Sequence, residues 1–371
     1  MVVAQDRNGQ RATALAERIG TSIAESEVSS ARIGFSASIG CATVQSATES
    51  APHLLHEADR AMYVAKSTGS GFAIVDEAMR LQTAIVADID KDLESAFNQT
   101  DFGLHYQLIR DTASREVMGA EALLRWRTDR NPPAATPVLL ERIDRNRRTV
   151  DFTRWSLDVI ARDWRAVRDR YDWFADKAVS LNLSPRQLAW DGYVECHLDT
   201  LRRHGLEVGA IVIEVVESKE IEVDGLAEDN LRRLGTHGVI IALDDFGTGH
   251  NALQYFTRFP IHAIKFDQTL VEEVRTSETA RLILSGLASM ARDLQIVSLA
   301  EGIETENDAA ECARLGITHG QGWYFGRPQP IEKLLDALAL EQSPGDGMVI
   351  DVTGFNGHPH RPLWNRPRRL T

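Results

Sequence analysis

The stretch Val239-Ile240-Ile241-Ala242-Leu243-Asp244-Asp245-Phe246-Gly247-Thr248-Gly249 decides how this chain folds. Its first five residues are apolar and too few for a helix, as in a strand buried on both faces. The run stops at two adjacent carboxylates, and two glycines then free the backbone to turn. Side chains alternate along a strand, so neighbouring aspartates reach one point only where the strand frays into a loop. Charges crowded in this way repel unless a cation sits between them, and oxygen-only ligands suit Mg²⁺ or Mn²⁺. The alternative is an Asp-Asp-Phe-Gly turn whose aspartates bond their own backbone. This stretch alone does not choose between them.

Similar runs recur on both sides of it. Ala120 to Trp126 places Glu121 after a β-type run, and Ala178 to Pro185 carries Asn182 near its end. Ile211 to Glu217 sets Glu214 among apolar residues, Ala263 to Asp267 does the same with Lys265, and Ile296 to Gly302 ends in Glu301. Between them, residues 153–170, 186–204, 226–237, 277–293 and 305–315 have the amphipathic period of helices. Strands alternating with helices predict a parallel sheet. About eight strands over residues 100–342 fit an α/β chain folded as a (β/α)8 TIM-like barrel. Polar residues at strand C-termini then converge on one mouth, which is where this chain puts its acids. Residues 104–110 and 118–126 are joined too closely for a crossover helix, so the first strand is expected to run antiparallel to the second.

Composition narrows the function classes. The chain has 371 residues, room for a barrel and a smaller unit, and a net charge of −13 that disfavours a nucleic-acid backbone as partner. Cys41, Cys196 and Cys312 lie at scattered spacing, which indicates neither a disulfide framework nor a zinc site. No apolar run reaches membrane-spanning length and no signal-peptide core opens the chain, so a cytoplasmic location is expected. Residues 76–99 read as a helical linker, and 343–371, ending in Arg366-Pro367-Arg368-Arg369, as a disordered basic tail.

The motif set resembles the EAL family of cyclic di-GMP phosphodiesterases over roughly residues 85–340. Glu121-Ala122-Leu123, followed by Leu124-Arg125-Trp126, is the signature that names it. Asn182 in Ser-Leu-Asn-Leu-Ser, Glu214 in Glu-Val-Val-Glu-Ser, the Asp244-Asp245 block, Lys265 in Ile-Lys-Phe-Asp, Glu301 to Thr305 and Gln321 follow in family order. Residues 1–75 resemble the C-terminal half of a GGDEF, or diguanylate cyclase-like, domain, through the strand Ile33 to Ala42 and the helix His56 to Lys66. The Gly-Gly-Asp-Glu-Phe hairpin is not in this sequence, so no cyclase activity is expected of this chain.

The resemblance implies a hydrolase that opens cyclic di-GMP to linear pGpG with two Mg²⁺ or Mn²⁺ ions about 3.5–4 Å apart. It implies Glu121, Asn182, Glu214, Asp244 and Asp245 as metal ligands, with Asp244 bridging and Glu301 joining directly or through water. Lys265 would hold or deprotonate the attacking water, its pKa lowered by burial, unless it is a structural ion pair with Asp267 or a neighbouring strand. Gln321 would stand beside the metals, or be a surface amide before a turn. Glu304 would steady the loop after Asp-Asp-Phe-Gly. Arg125 would pair with a substrate phosphate or brace the barrel on a carboxylate, and Leu123 and Gln107 would complete the substrate site. The family also implies a homodimer. His250-Asn251-Ala252 departs from the family's aromatic and two serines, Leu108 replaces its proline, and 131–150 replaces its usual stretch, all touching dimerisation or the rim. A chain that binds cyclic di-GMP without cutting it and signals to a partner is the competing reading. Inactive relatives lose a metal carboxylate, the asparagine or the lysine, and this chain retains them all.

Overall fold

The computed structural model describes residues 10–24, 37–43, 50–68, 70–75, 102–126, 136–145, 147–216, 221, 225–247 and 252–341. The helical linker expected at 76–99, the tail at 343–371 and residues 131–135 and 248–251 lie outside them. The chain divides into two compact units, Met1–Lys91 and Asp92–Thr371.

In the first unit, helices α1 (Gln10–Ala24) and α2 (Ala51–Thr68) accompany strands β1 (Ile39–Cys41) and β2 (Phe72–Ile74), which pair in parallel. Ala61 and Ala65 of α2 are fully buried. At Gly40 a Cβ would lie 1.8 Å from the Ala58 carbonyl oxygen, so only glycine lets α2 settle on β1. This is a short α/β piece, as expected of this part of the chain.

The second unit is a closed barrel of eight strands, in the order β3 to β10. They are β3 (Phe102–Asp111), β4 (Val117–Trp126), β5 (Ala178–Leu183), β6 (Ile211–Val216), β7 (Ile241–Phe246), β8 (Ile261–Phe266), β9 (Val297–Ala300) and β10 (His319–Gly320). Strands β4 to β10 run parallel, while β3 is antiparallel to both β4 and β10. The short link 112–116 is the cause, as predicted. A further strand, β11 (Gln329–Pro330), pairs with β3 at Tyr106 and His105, whereas β10 pairs with it at Asp111 and Arg110. The eighth staff of the barrel is therefore interrupted, and residues 321–328 form an excursion from the wall.

The connecting helices are α3 (Thr136–Arg145), α4 (Thr149–Arg170), α5 (Pro185–Leu188), α6 (Tyr193–Arg203), α7 (Leu226–Thr236), α8 (Ala252–Arg258), α9 (Gln268–Glu273), α10 (Glu278–Asp293), α11 (Glu306–Arg314) and α12 (Ile331–Glu341). On α4, Phe152, Leu157, Ile160, Ala161, Trp164 and Val167 form the buried stripe that the helical period requires. Within the wall, small and branched side chains of Ala178, Val212, Ile240, Ala242, Ala263 and Val297 make an apolar layer. Each fully buried Val or Ile contributes about 1.5–3 kcal/mol relative to exposure. The polar groups lie nearer the strands' C-terminal ends.

One expectation needs correcting. Glu121 and Glu214 are not at strand termini: Glu121 is the fifth of ten residues in β4 and Glu214 the fourth of six in β6. Neither can reach bulk water, and their exposures are 4 % and 1 %.

Candidate functional site

Period-2 alternation turns Glu121, Glu214, Asp244 and Lys265 inward on four strands of the wall. The Lys265 ammonium, 2 % exposed, touches four carboxylates: Glu301 at 2.7 Å, Glu214 at 2.9 Å, Asp244 at 3.1 Å and Glu121 at 3.5 Å. Asp267, the alternative partner of the lysine, instead accepts from the Thr269 backbone N–H and caps α9. Asn182 donates its amide N–H to Glu121 Oε1 at 2.6 Å, which leaves its amide oxygen able to accept a hydrogen bond or ligate a cation. Gln321 is buried, not a surface amide, and donates to Glu121 Oε2 at 2.6 Å.

The two adjacent aspartates come to one side through a local device. Asp245 has φ 55, in the left-handed region, and the β7–β8 register shifts between Leu243 and Phe246. A bulge, not a frayed end, thus undoes the alternation. One oxygen each of Asp244, Asp245 and Glu301 lies within 4.8 Å of the others.

Charge balance dominates the electrostatics. Burial pushes Glu301 up to about 7, with Asp244 and Glu121 reinforcing the push and Lys265 opposing it. Burial likewise raises Glu214 well above the carboxylate range, against the pull of Lys265. Burial also acts to raise Glu121, but Lys265 together with bonds from Gln321 and Asn182 holds it below its ordinary value. Asp245 is raised by burial and by Asp244. In the cation-free cluster the balance runs opposite to the expected lowering of the lysine. Burial does pull Lys265 down, but Asp244, Glu121, Glu214 and Glu301 together outweigh it and raise its pKa well above the ordinary lysine value. One lysine cannot balance four acids.

Those donors fit divalent cations. The set is all oxygen, carries more negative than positive charge, and retains a buried Gln321 Oε1 that has no hydrogen-bond partner among the described residues. Hard cations such as Mg²⁺ and Mn²⁺ take such ligands.

Beside the cluster runs a groove of about 920 Å³ whose lining includes Leu123, Arg125, Asn182, Asp144, Arg145 and Arg186. Arg125 donates to the Leu124 carbonyl, and among the described residues no carboxylate lies within ion-pair distance of it. Gln107 is not among the groove's lining; it bonds Gln321 and the Gly326 carbonyl instead. Glu304 is 38 % exposed in its side chain and lies 3.6 Å from Arg275, and the loop it was expected to steady falls outside the described residues. Sequence reasoning missed Asp308, whose carboxylate accepts from the Glu304 and Thr305 backbone N–H groups and from Arg275. Thr305-x-x-Asp308 ahead of a helix was the available signal.

Fold and site together define a class, an α/β barrel whose mouth gathers oxygen donors around one lysine. The family is narrower: residues 90–328 match the EAL domain model, and the chain belongs to that family. Residues 1–71 match the diguanylate cyclase, GGDEF domain. The chain is 31 % identical over 341 residues to the bifunctional diguanylate cyclase/cyclic di-GMP phosphodiesterase MucR of Pseudomonas aeruginosa, covering 91 % of this chain and 50 % of MucR. It is 29 % identical to the cyclic di-GMP phosphodiesterase PdeR of Escherichia coli, covering 80 % and 44 %. The chain thus spans about half the length of these curated relatives. Among solved structures, the PaMucR phosphodiesterase in complex with c-di-GMP superposes with a TM-score of 0.62 at 32 % identity, covering 67 % of this chain and 99 % of that one. No described helix is long and apolar enough to cross a membrane.

Proposed function

We propose that this chain hydrolyses cyclic di-GMP to linear pGpG. The observation that carries this reading is the buried cluster of oxygen donors around Lys265 beside a groove that presents Arg125. The likeness to the MucR phosphodiesterase complex supports the choice of substrate. Glu121, Asn182, Glu214 and Asp244 would hold one divalent cation, and Asp244 and Asp245, with Glu301, a second. Such ions, when bound, make water acidic and neutralise phosphoryl oxygens.

The chain's own residues do the rest. Arg125 offers a planar guanidinium to a phosphate, and Leu123 supplies an apolar wall to the groove. Lys265 lies among these carboxylates with its ammonium N–H groups placed to donate to water and aim it. Water adds to phosphorus as the P–O3′ bond breaks, and the proton released by the water balances the one taken by O3′. Lining the interior with carboxylates also keeps any unpaired phosphate out until cations are present.

Purified chain incubated with cyclic di-GMP and Mn²⁺, analysed by chromatography, is expected to yield pGpG, and EDTA to abolish it. Binding of cyclic di-GMP without product would make the chain a receptor. Neither binding nor product would end the proposal.

A further inference from the structure

The excursion 321–328 in the eighth staff brings two glutamines into one chain of hydrogen bonds. Gln107, on β3, is 7 % exposed, and Gln321, at the start of the excursion, is 5 % exposed. Gln107 Nε2 donates to the Gly326 carbonyl at 2.9 Å. Gln321 Nε2 donates to Gln107 Oε1 at 2.9 Å and to Glu121 Oε2 at 2.6 Å. The Oε1 of Gln321 is buried and has no partner among the described residues.

Donor and acceptor roles fix the direction of this chain. A backbone carbonyl only accepts, so the end of Gln107 that faces Gly326 must be its NH₂ group. Its oxygen then faces Gln321, which must answer with nitrogen. Glu121 takes one proton of that nitrogen and Gln107 takes the other. One bond would set the sense of the Gln321 amide and leave its plane free to turn about the N–H···O axis. The second bond fixes the plane. Reversing the amide would set its oxygen against two acceptors. What remains is an oxygen held still at the carboxylate cluster with an unmet need for a donor, an arrangement that is costly unless a ligand meets it. Water, with two O–H groups, is a donor of the right kind.

We propose that Gln107 is a positioning residue: it locks the Gln321 amide so that Oε1 accepts a hydrogen bond from the attacking water. This rests on the hydrolytic reading above. It also gives Gln107 a role through Gln321 in place of a substrate contact. Gln321 still donates its backbone N–H to the Ala300 carbonyl of β9, and the excursion that begins there lets Gly326 return its carbonyl to Gln107 and close the chain.

The test is a double-mutant cycle in the full chain with two readouts. Gln107→Met keeps length and removes both hydrogen bonds; Gln107→Asn keeps an amide one methylene too short to reach. Each is expected to lower kcat for cyclic di-GMP with Mn²⁺ about tenfold, near the worth of one neutral hydrogen bond, with KM within about twofold. Gln107→Met combined with Gln321→Met is expected to be no slower than Gln321→Met alone. The second readout needs no turnover. With ¹⁵N-glutamine labelling in Mg²⁺, the Gln321 side-chain NH₂ signal, identified by its loss in Gln321→Met, is expected to exchange slowly with solvent, and at least tenfold faster in Gln107→Met. Additive losses, or a raised KM at unchanged kcat, would assign Gln107 to the substrate and overturn the proposal. A wild-type chain that makes no pGpG would reject the hydrolytic reading, and unchanged exchange in Gln107→Met would reject the lock independently.

Discussion

At the scale of the residue, Lys265 sets the behaviour of the site because, among the described residues, it is the cation that meets four carboxylates at 2.7 to 3.5 Å. Removing one partner of a buried ionic cluster typically costs about 3–5 kcal/mol, since the charges left behind stay desolvated. Lys265→Ala is therefore expected to lower the melting temperature of the cation-free chain, and millimolar Mg²⁺ to restore more of it than in wild type. Its chemistry separates from its charge. Removing one preorganised hydrogen-bond donor at a reacting centre typically costs about 10²–10³-fold in kcat. The variant should lose that much kcat with Mn²⁺ while still binding cyclic di-GMP in Ca²⁺, measured by calorimetry. Binding lost in step with activity would make Lys265 a structural counter-ion only. Glu121→Ala removes the acceptor shared by Asn182 and Gln321 as well as a proposed ligand, and is expected to abolish pGpG formation with the barrel's circular dichroism retained. Turnover like wild type by that variant would remove Glu121 from the cation site.

At the scale of the element, the turn that follows β9 is tied down by Asp308. Its side chain closes a capping box with Thr305 at the start of α11, accepts from the Glu304 N–H, and takes Arg275 in a bidentate pair at 3.0 and 2.8 Å. Glu301 sits on that same turn, so the cap at one end holds a carboxylate of the cluster at the other. Loss of a cap costs about 0.5–2 kcal/mol. Asp308→Ala is expected to lower the denaturation midpoint by that order and kcat several-fold, while Asp308→Asn, which still accepts from the backbone, keeps more of both. Equal losses in the two variants would show that the Arg275 pair, not the cap, fixes the turn. Elements of this length were legible beforehand: the 305–315 period became α11 at Glu306–Arg314, and 277–293 became α10 at Glu278–Asp293. The break in the eighth staff was not. Its halves, His319–Gly320 and Gln329–Pro330, have two residues each, too few to display a period of any kind.

At the scale of the whole molecule, the barrel was readable because parallel strands buried on both faces leave continuous apolar runs, and an acid inside such a run needs a partner. What the runs do not encode is hydrogen-bond direction and contact across long sequence separation. Gln107 and Gln321 are 214 residues apart, and nothing local at either marks the other. The same holds for His197 on α6, which is fully buried with its Nε2 unpartnered among the described residues. Burial lowers its pKa to about 4. In the unfolded chain an ordinary histidine takes a proton near pH 6.5, about 2.5 units earlier, so between these values the unfolded state binds the extra proton and acid favours unfolding. The stability contributed by neutral His197 is complete above about pH 6.5 and is lost as pH falls toward 4, by up to about 3 kcal/mol. His319, also lowered to about 4 mainly by burial, adds a loss of the same sign. Urea unfolding in EDTA, followed by tryptophan fluorescence from pH 7.5 to 4.5, is therefore expected to show wild type losing its advantage over His197→Leu as the solution is acidified. Taking the difference between the two proteins cancels the opposite pull of Glu301, whose raised pKa makes the cation-free fold gain protons on acidification. A gap that stays constant across that range would mean that His197 carries the same charge folded and unfolded.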